Sequence, residues 1–150
     1  MIVYKITLAE YADALSVSGN AARWNSTDVK VIYTAGSRSL ACLENVVHRS
    51  SRGLQGNFRT LVIEIPDSLK IIVVDKSSLI PHWQSFSHMP YTQQRGDKWV
   101  KEGLSAVMRV PSVVIAEEYN FILNPAHKDF SKIKLLKVEP FEFDSRLREG

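Results

Sequence analysis

The whole chain holds a single cysteine, Cys42. No internal disulfide can form, and no cysteine-based metal cluster can be built. That fits a reducing compartment, and a cytoplasmic location is expected. Long apolar runs are also missing. Ile71 to Val74 and Val113 to Ala116 are the most prominent, far below the ~20 residues that a membrane helix needs. The opening Met1-Ile-Val-Tyr-Lys-Ile6 lacks the basic stretch and apolar segment of a secretory leader, so neither signal peptide nor membrane association is read. There is no block of Lys and Arg, although the net charge is +3. A scattered mild excess of this kind suits an anionic small molecule or an acidic partner. A nucleic-acid footprint is clustered, so no direct nucleic-acid binding is expected.

Several motifs are absent as well. No Gly-x-Ser-x-Gly elbow exists, which argues against a serine hydrolase. Gly36-Ser-Arg-Ser39 is too short for a phosphate loop and has no lysine. His82 and His88 flank Trp83 and Phe86 at a spacing that fits no common zinc pattern, so no metal site is assigned. Linkers, repeats and low-complexity tracts are lacking, and residues 1–150 read as a single domain.

What is present is a globular composition, 45% hydrophobic and 23% charged. Ile2 to Thr7 reads as a strand and Leu8 to Leu15 as a short helix. Gly19-Asn20 punctuates a loop carrying Arg23 and Asn25. Val29 to Thr34 is β-branched and apolar, a buried strand ending at Tyr33. Ser37 or Ser39 can cap a helix that runs to about Arg49. Its buried face is marked by Leu40, Leu43 and Val47, with Glu44 on the margin. Further strands are expected at Phe58–Ile65, Ile71–Val74 (buried), Ala106–Val110, Ser112–Ala116 and Tyr119–Leu123. Leu79 to Met89 is a connection, and Tyr91 to Gly103 a helix anchored by Trp99. Ile133 to Phe143 forms a last strand, which Pro140 assigns to an edge. Unevenly alternating strands and helices make this an α+β fold.

The residues with chemistry in them are few, and each has a plain reading. Arg23 offers planar bidentate donors that match a diphosphate, or it pairs with Asp28. Trp24 is a core anchor beneath the loop. Asn25 contacts a ligand or makes an Asx-turn. Tyr33 stacks on a ring with its hydroxyl wet, or closes the core. Ser112 follows Pro111, and either bonds a ligand or starts a strand. His48, Arg49 and Arg52 complement a helix dipole. Glu44 sits where a carboxylate is costly unless it is paired or reaches a cleft, its plain partners being His48 and the poorly placed Arg49.

Ala21-Ala-Arg-Trp-Asn-Ser26, followed by Tyr33, Glu44, Ser112 within Val110-Pro-Ser-Val-Val-Ile-Ala-Glu-Glu-Tyr-Asn120, and Asn124-Pro125, together resemble the RES domain family over roughly residues 3 to 130. That family is mostly made of toxins from bacterial toxin–antitoxin pairs that destroy NAD. The resemblance implies a fold similar to the ADP-ribosyltransferase core, in which two small, mostly antiparallel sheets with flanking helices meet at an NAD cleft. It implies that Arg23 holds the diphosphate, that Tyr33 packs near the nicotinamide, and that Glu44 acts at the ribose. Ser112, Asn25 and Lys5 would help to position the substrate. The chain departs from the family at Ala21-Ala22, usually Gly-Gly or Gly-Ala, and at Tyr4-Lys5, often Tyr-Arg.

The implied reaction breaks the nicotinamide–ribose bond, with water or phosphate as acceptor. NAD is then the substrate and no cofactor is needed. The alternatives are transfer of ADP-ribose to a protein, or a non-catalytic module that binds a nucleotide or a partner. The resemblance also implies an Xre-like antitoxin that silences the toxin in a hetero-oligomer.

Overall fold

A computed structural model describes residues 1–17 and 19–149. Among them seven strands form one sheet: β1 (Ile2–Leu8), β2 (Ile32–Ala35), β3 (Phe58–Glu64), β4 (Ile71–Val73), β5 (Val107–Pro111), β6 (Tyr119–Leu123) and β7 (Lys134–Phe141). The helices are α1 (Arg38–His48), α2 (Met89–Glu102) and α3 (Ser145–Arg148). The fold is α+β, as the uneven alternation predicts.

The strand order is β4-β5-β6-β2-β1-β3-β7, antiparallel except for the parallel β4–β5 pair. Where the resemblance implied two small sheets, the hydrogen-bonding is continuous, but the join is thin. β1 and β2 pair at a single position, Tyr4 opposite Ala35, whereas β1 and β3 pair along seven. Beside that pair, the Lys5 ammonium of β1 bridges to β2 by donating to the Tyr33 carbonyl at 3.3 Å.

Period-two alternation sorts the central strands between two cores. Ile32, Val107, Phe121 and Leu123 pack on one cluster, while Val31, Met108, Val110 and Ile122 pack on another with Trp24, Trp83 and Trp99. Trp99 fastens α2 there, its indole donating to Ser105 Oγ at 2.9 Å. α2 ends at Gly103, which adopts the left-handed conformation (φ 61°) that glycine accepts without a Cβ clash. Ser37 caps α1 by accepting from the Leu40 N–H.

Four local expectations are corrected. Leu8–Leu15 holds one 3-10 turn, Ala9–Tyr11, because Leu8 completes β1 against Phe58. Leu40 and Ala41 are the buried residues of α1, while Val47 is 58% exposed. Ile71–Val73 is an edge strand, half-buried to exposed along its length. Ser112–Ala116 is a turn: Ser112 Oγ accepts from the Val114 and Ile115 N–H groups, which bends the chain out of the ladder. β7 does lie at an edge, so the missing N–H of Pro140 costs no ladder bond.

Candidate functional site

The site is built on the thin join between the sheet halves, with the loop of residues 20–29 on one side and α1 on the other. That loop is held from within by Asn25, which is 1% exposed. Its amide nitrogen donates to the carbonyls of Asn20, Ser26 and Val29, and its oxygen accepts from the Tyr33 hydroxyl at 2.6 Å. With every amide hydrogen engaged in this way, Asn25 organises the loop, and it also borders the cavity of about 520 Å³.

From outside, the loop is stapled to α2. Thr92 Oγ1 donates to the Arg23 carbonyl at 2.6 Å, and Gln93 Nε2 to that of Ala22 at 2.9 Å. Asp97 accepts from both the N–H and the hydroxyl of Ser26. Gly96 lets the helix close in, since a Cβ there would lie 1.6 Å from the Trp24 carbonyl oxygen. None of these α2 contacts was read from the sequence, because the partners lie about seventy residues from the loop.

Tyr33 is also more committed than expected. Its hydroxyl accepts from the Trp24 N–H at 2.9 Å while donating to Asn25, so it is a latch between β2 and the loop and is not left wet. Burial pushes the phenol well above its ordinary pKa, so it stays protonated. The ring remains exposed to the cleft, lining three adjoining cavities of about 410, 520 and 670 Å³.

Glu44 lies on α1 where the sequence places it, half-buried, and lines two of those cavities. Its partner is Asn120 of β6, whose Nδ2 donates to Glu44 Oε1 at 2.6 Å and to the Thr34 carbonyl at 3.1 Å. His48 and Arg49, the plain partners, form no ion pair with it among the described residues. Burial raises the Glu44 pKa above the ordinary carboxylate value; the Asn120 bond and the Lys5 charge oppose the rise, and Glu118 adds to it. Lys5 shifts the other way. Burial lowers its pKa, the charge of Glu44 raises it and that of Arg49 lowers it.

Arg23 and Glu44 line the largest cavity together with Trp24, Phe86 and Val113, a mostly apolar space of about 670 Å³. Arg23 does not pair with Asp28. One guanidinium N–H donates to the Ser85 carbonyl at 3.3 Å, and burial pulls its pKa down. An arginine keeps its charge under such a shift. Ser112 is 2% exposed and its oxygen is spent on the turn, so the neighbouring Val113 and Val114 face the cavity in its place. The structure thus brings Arg23, Tyr33, Glu44 and Lys5 together around the cavities, while the Asn25 amide and the Ser112 oxygen are engaged by loop backbone. Asn120 and Arg49 were missed as site residues. Asn120 carries a usable signal, being an amide on an otherwise apolar strand.

The arrangement is an apolar chamber with one guanidinium and one carboxylate, opening onto a polar chamber with an ammonium. It suits a ligand that has a flat ring, a cationic centre and anionic groups.

Comparisons with known proteins identify the family. A 38% identical protein of Sphingobium sp. (strain YBL2), named "Prs ADP-ribosylating toxin", aligns over 91% of this chain and 88% of its own length. A protein of Photorhabdus laumondii named "Toxin Res" is 35% identical, with 98% and 97% covered. The toxin–antitoxin complex MbcT–MbcA of M. tuberculosis contains a chain that superposes with a TM-score of 0.76 at 16% identity, over 99% of this chain and 89% of that one, which shows a shared fold. The RES domain model matches residues 2–144, and the chain belongs to the RES domain family.

Proposed function

We propose that the chain is a toxin that cleaves the nicotinamide–ribose bond of NAD. The observation that carries this is Glu44, a single half-buried carboxylate held by Asn120 in the chamber that also contains Arg23 and Tyr33. In NAD the nicotinamide nitrogen is already cationic. When the C–N bond breaks, its electron pair neutralises that nitrogen and the ring leaves without needing a proton. Ordinary glycosidases need a second carboxyl group as general acid because their leaving oxygen must be protonated. Here one carboxylate is sufficient, placed to stabilise the positive charge that develops on the ribose.

Arg23 holds the diphosphate, the apolar wall and the Tyr33 ring face the nicotinamide, and Lys5 supports an anionic group from the other half-sheet. Water or phosphate then attacks the ribose carbon, forming a C–O bond and releasing a proton. A cationic substrate favours the ionised form of Glu44, offsetting the rise that burial imposes.

A second reading, transfer of ADP-ribose to a protein, is favoured by the name of the Sphingobium relative. An antitoxin of the Xre-like class would silence the protein by covering the chamber mouth, where Phe86 is 82% and Val47 58% exposed. The toxin–antitoxin complex that shares the fold supports such a partner. The protein would act in the cytoplasm, where NAD is made and used.

The test is nicotinamide release from NAD, with water alone, with phosphate, or with Prs protein as acceptor, followed by mass analysis. ADP-ribose, its 1″-phosphate or a modified Prs protein identifies the acceptor. Absence of nicotinamide in all three conditions, from folded protein free of antitoxin, overturns the proposal.

A further inference from the structure

Arg49 closes α1 and, with Lys5, lines two adjoining cavities of about 410 and 520 Å³ that Tyr33 also lines and Arg23 does not. An ammonium has three donors and a guanidinium five. Lys5 spends one on the Tyr33 carbonyl at 3.3 Å, and Arg49 one on Asn45 Oδ1 at 3.0 Å while its guanidinium lies 5.2 Å from the Phe58 ring centroid. Among the described residues neither is in an ion pair. Each carries positive charge onto the same walls. Glu44, the carboxylate lining the smaller cavity, is held by Asn120 on the other strand. Two like charges, partly desolvated and with Glu44 as the opposing charge on Lys5, are costly to keep together. They become favourable once an oxyanion bridges them.

We propose that Lys5 and Arg49 form a second anion subsite, distinct from Arg23, that takes a phosphate group. The assignment of Arg49 rests on the NAD-cleaving reading only for the source of that group. It is either the phosphate of the dinucleotide's diphosphate that Arg23 does not hold, or the orthophosphate acceptor. Burial lowers the Lys5 pKa, against the raising charge of Glu44 and with a further lowering from Arg49, and an arriving anion would raise it.

The test uses calorimetric titration of the whole chain with inorganic phosphate and with pyrophosphate, without NAD. The wild type should bind at least one saturably. Arg49→Gln should weaken that binding about tenfold or more, the range for a hydrogen bond to a charged group, with Arg49→Lys recovering part of it. If Arg49→Gln fails to fold, Lys5→Gln carries the same expectation. Phosphate that accelerates nicotinamide release and appears in the product marks the acceptor source. Pyrophosphate that competes with ADP-ribose, with no acceleration by phosphate, marks the dinucleotide source. Either outcome supports the subsite. Failure of both ions to bind the wild type overturns it, as does unchanged binding in a folded Arg49→Gln or Lys5→Gln variant. Since titration needs no turnover, phosphate binding by a protein inert toward NAD would sink the cleavage reading and leave the subsite standing.

Discussion

Asn120 on β6 donates to Glu44 on α1 across 2.6 Å, joining residues 76 positions apart at the mouth of the cleft. The bond opposes the rise that burial imposes on the carboxyl pKa. Replacing Asn120 with Ala should therefore move Glu44 further toward its neutral form. Nicotinamide release at neutral pH is expected to fall about 10- to 100-fold, the usual worth of one bond to a charged group. The acid limb of the pH–rate profile should move upward. A loss of rate with an unmoved limb would mean that Asn120 acts by packing alone.

Glu44 also has a consequence for stability. A carboxyl group whose folded pKa is raised binds more protons in the native state between the unfolded and folded pKa values, so its contribution to stability is lost as pH rises through that window. At neutral pH the buried charge is a burden. Glu44→Gln should melt at a higher temperature than the wild type at pH 7, with the advantage shrinking at pH 4, while losing activity. Equal melting temperatures at both pH values would contradict this electrostatic account.

Gly96 tests the staple between α2 and the Arg23 loop. A methyl group at that position would lie 1.6 Å from a backbone oxygen, which cannot rotate away. Gly96→Ala should destabilise the fold by about 3 kcal/mol, the upper range for overpacking. It should also weaken NAD binding through displacement of the loop. Thermal unfolding and titration read these separately, and a variant with wild-type melting would show that the helix shifts at no cost.

Tyr33→Phe separates the two roles of that residue. The ring stays, but the Trp24 N–H and Asn25 Oδ1 lose their common partner. Leaving such groups unsatisfied costs about 1–3 kcal/mol each. Stability should fall by roughly that amount, with KM rising more than kcat falls as the loop loosens. An unaltered melting temperature would return Tyr33 to a ring-stacking role only.

Much of the fold was legible because it follows from local chemistry. Ser37 caps, Pro140 marks an edge strand, and Trp99 anchors a helix whatever surrounds them. Leu8–Leu15 and Val47 were misread: they show helical spacing, but tertiary pairing and the position of α1 over Phe58 and Phe143 decided which faces were covered. Ser112 and Asn25 could be read two ways, because short polar side chains serve loops and ligands alike. Their backbone partners exist only once the loop has closed. Arg23, Tyr33 and Glu44 were identifiable as a set. Asn120 and Arg49 were not, since their meaning depends on what the fold places opposite them.

The most direct test is nicotinamide release from NAD by the wild type and by Glu44→Gln, with ADP-ribose binding measured on both. The account predicts turnover in the wild type, loss of at least 100-fold in rate (on the order of one lost electrostatic contact at the reacting centre) and nearly unchanged ADP-ribose affinity. Release by Glu44→Gln at the wild-type rate would contradict it and move the chemistry away from the carboxylate on α1.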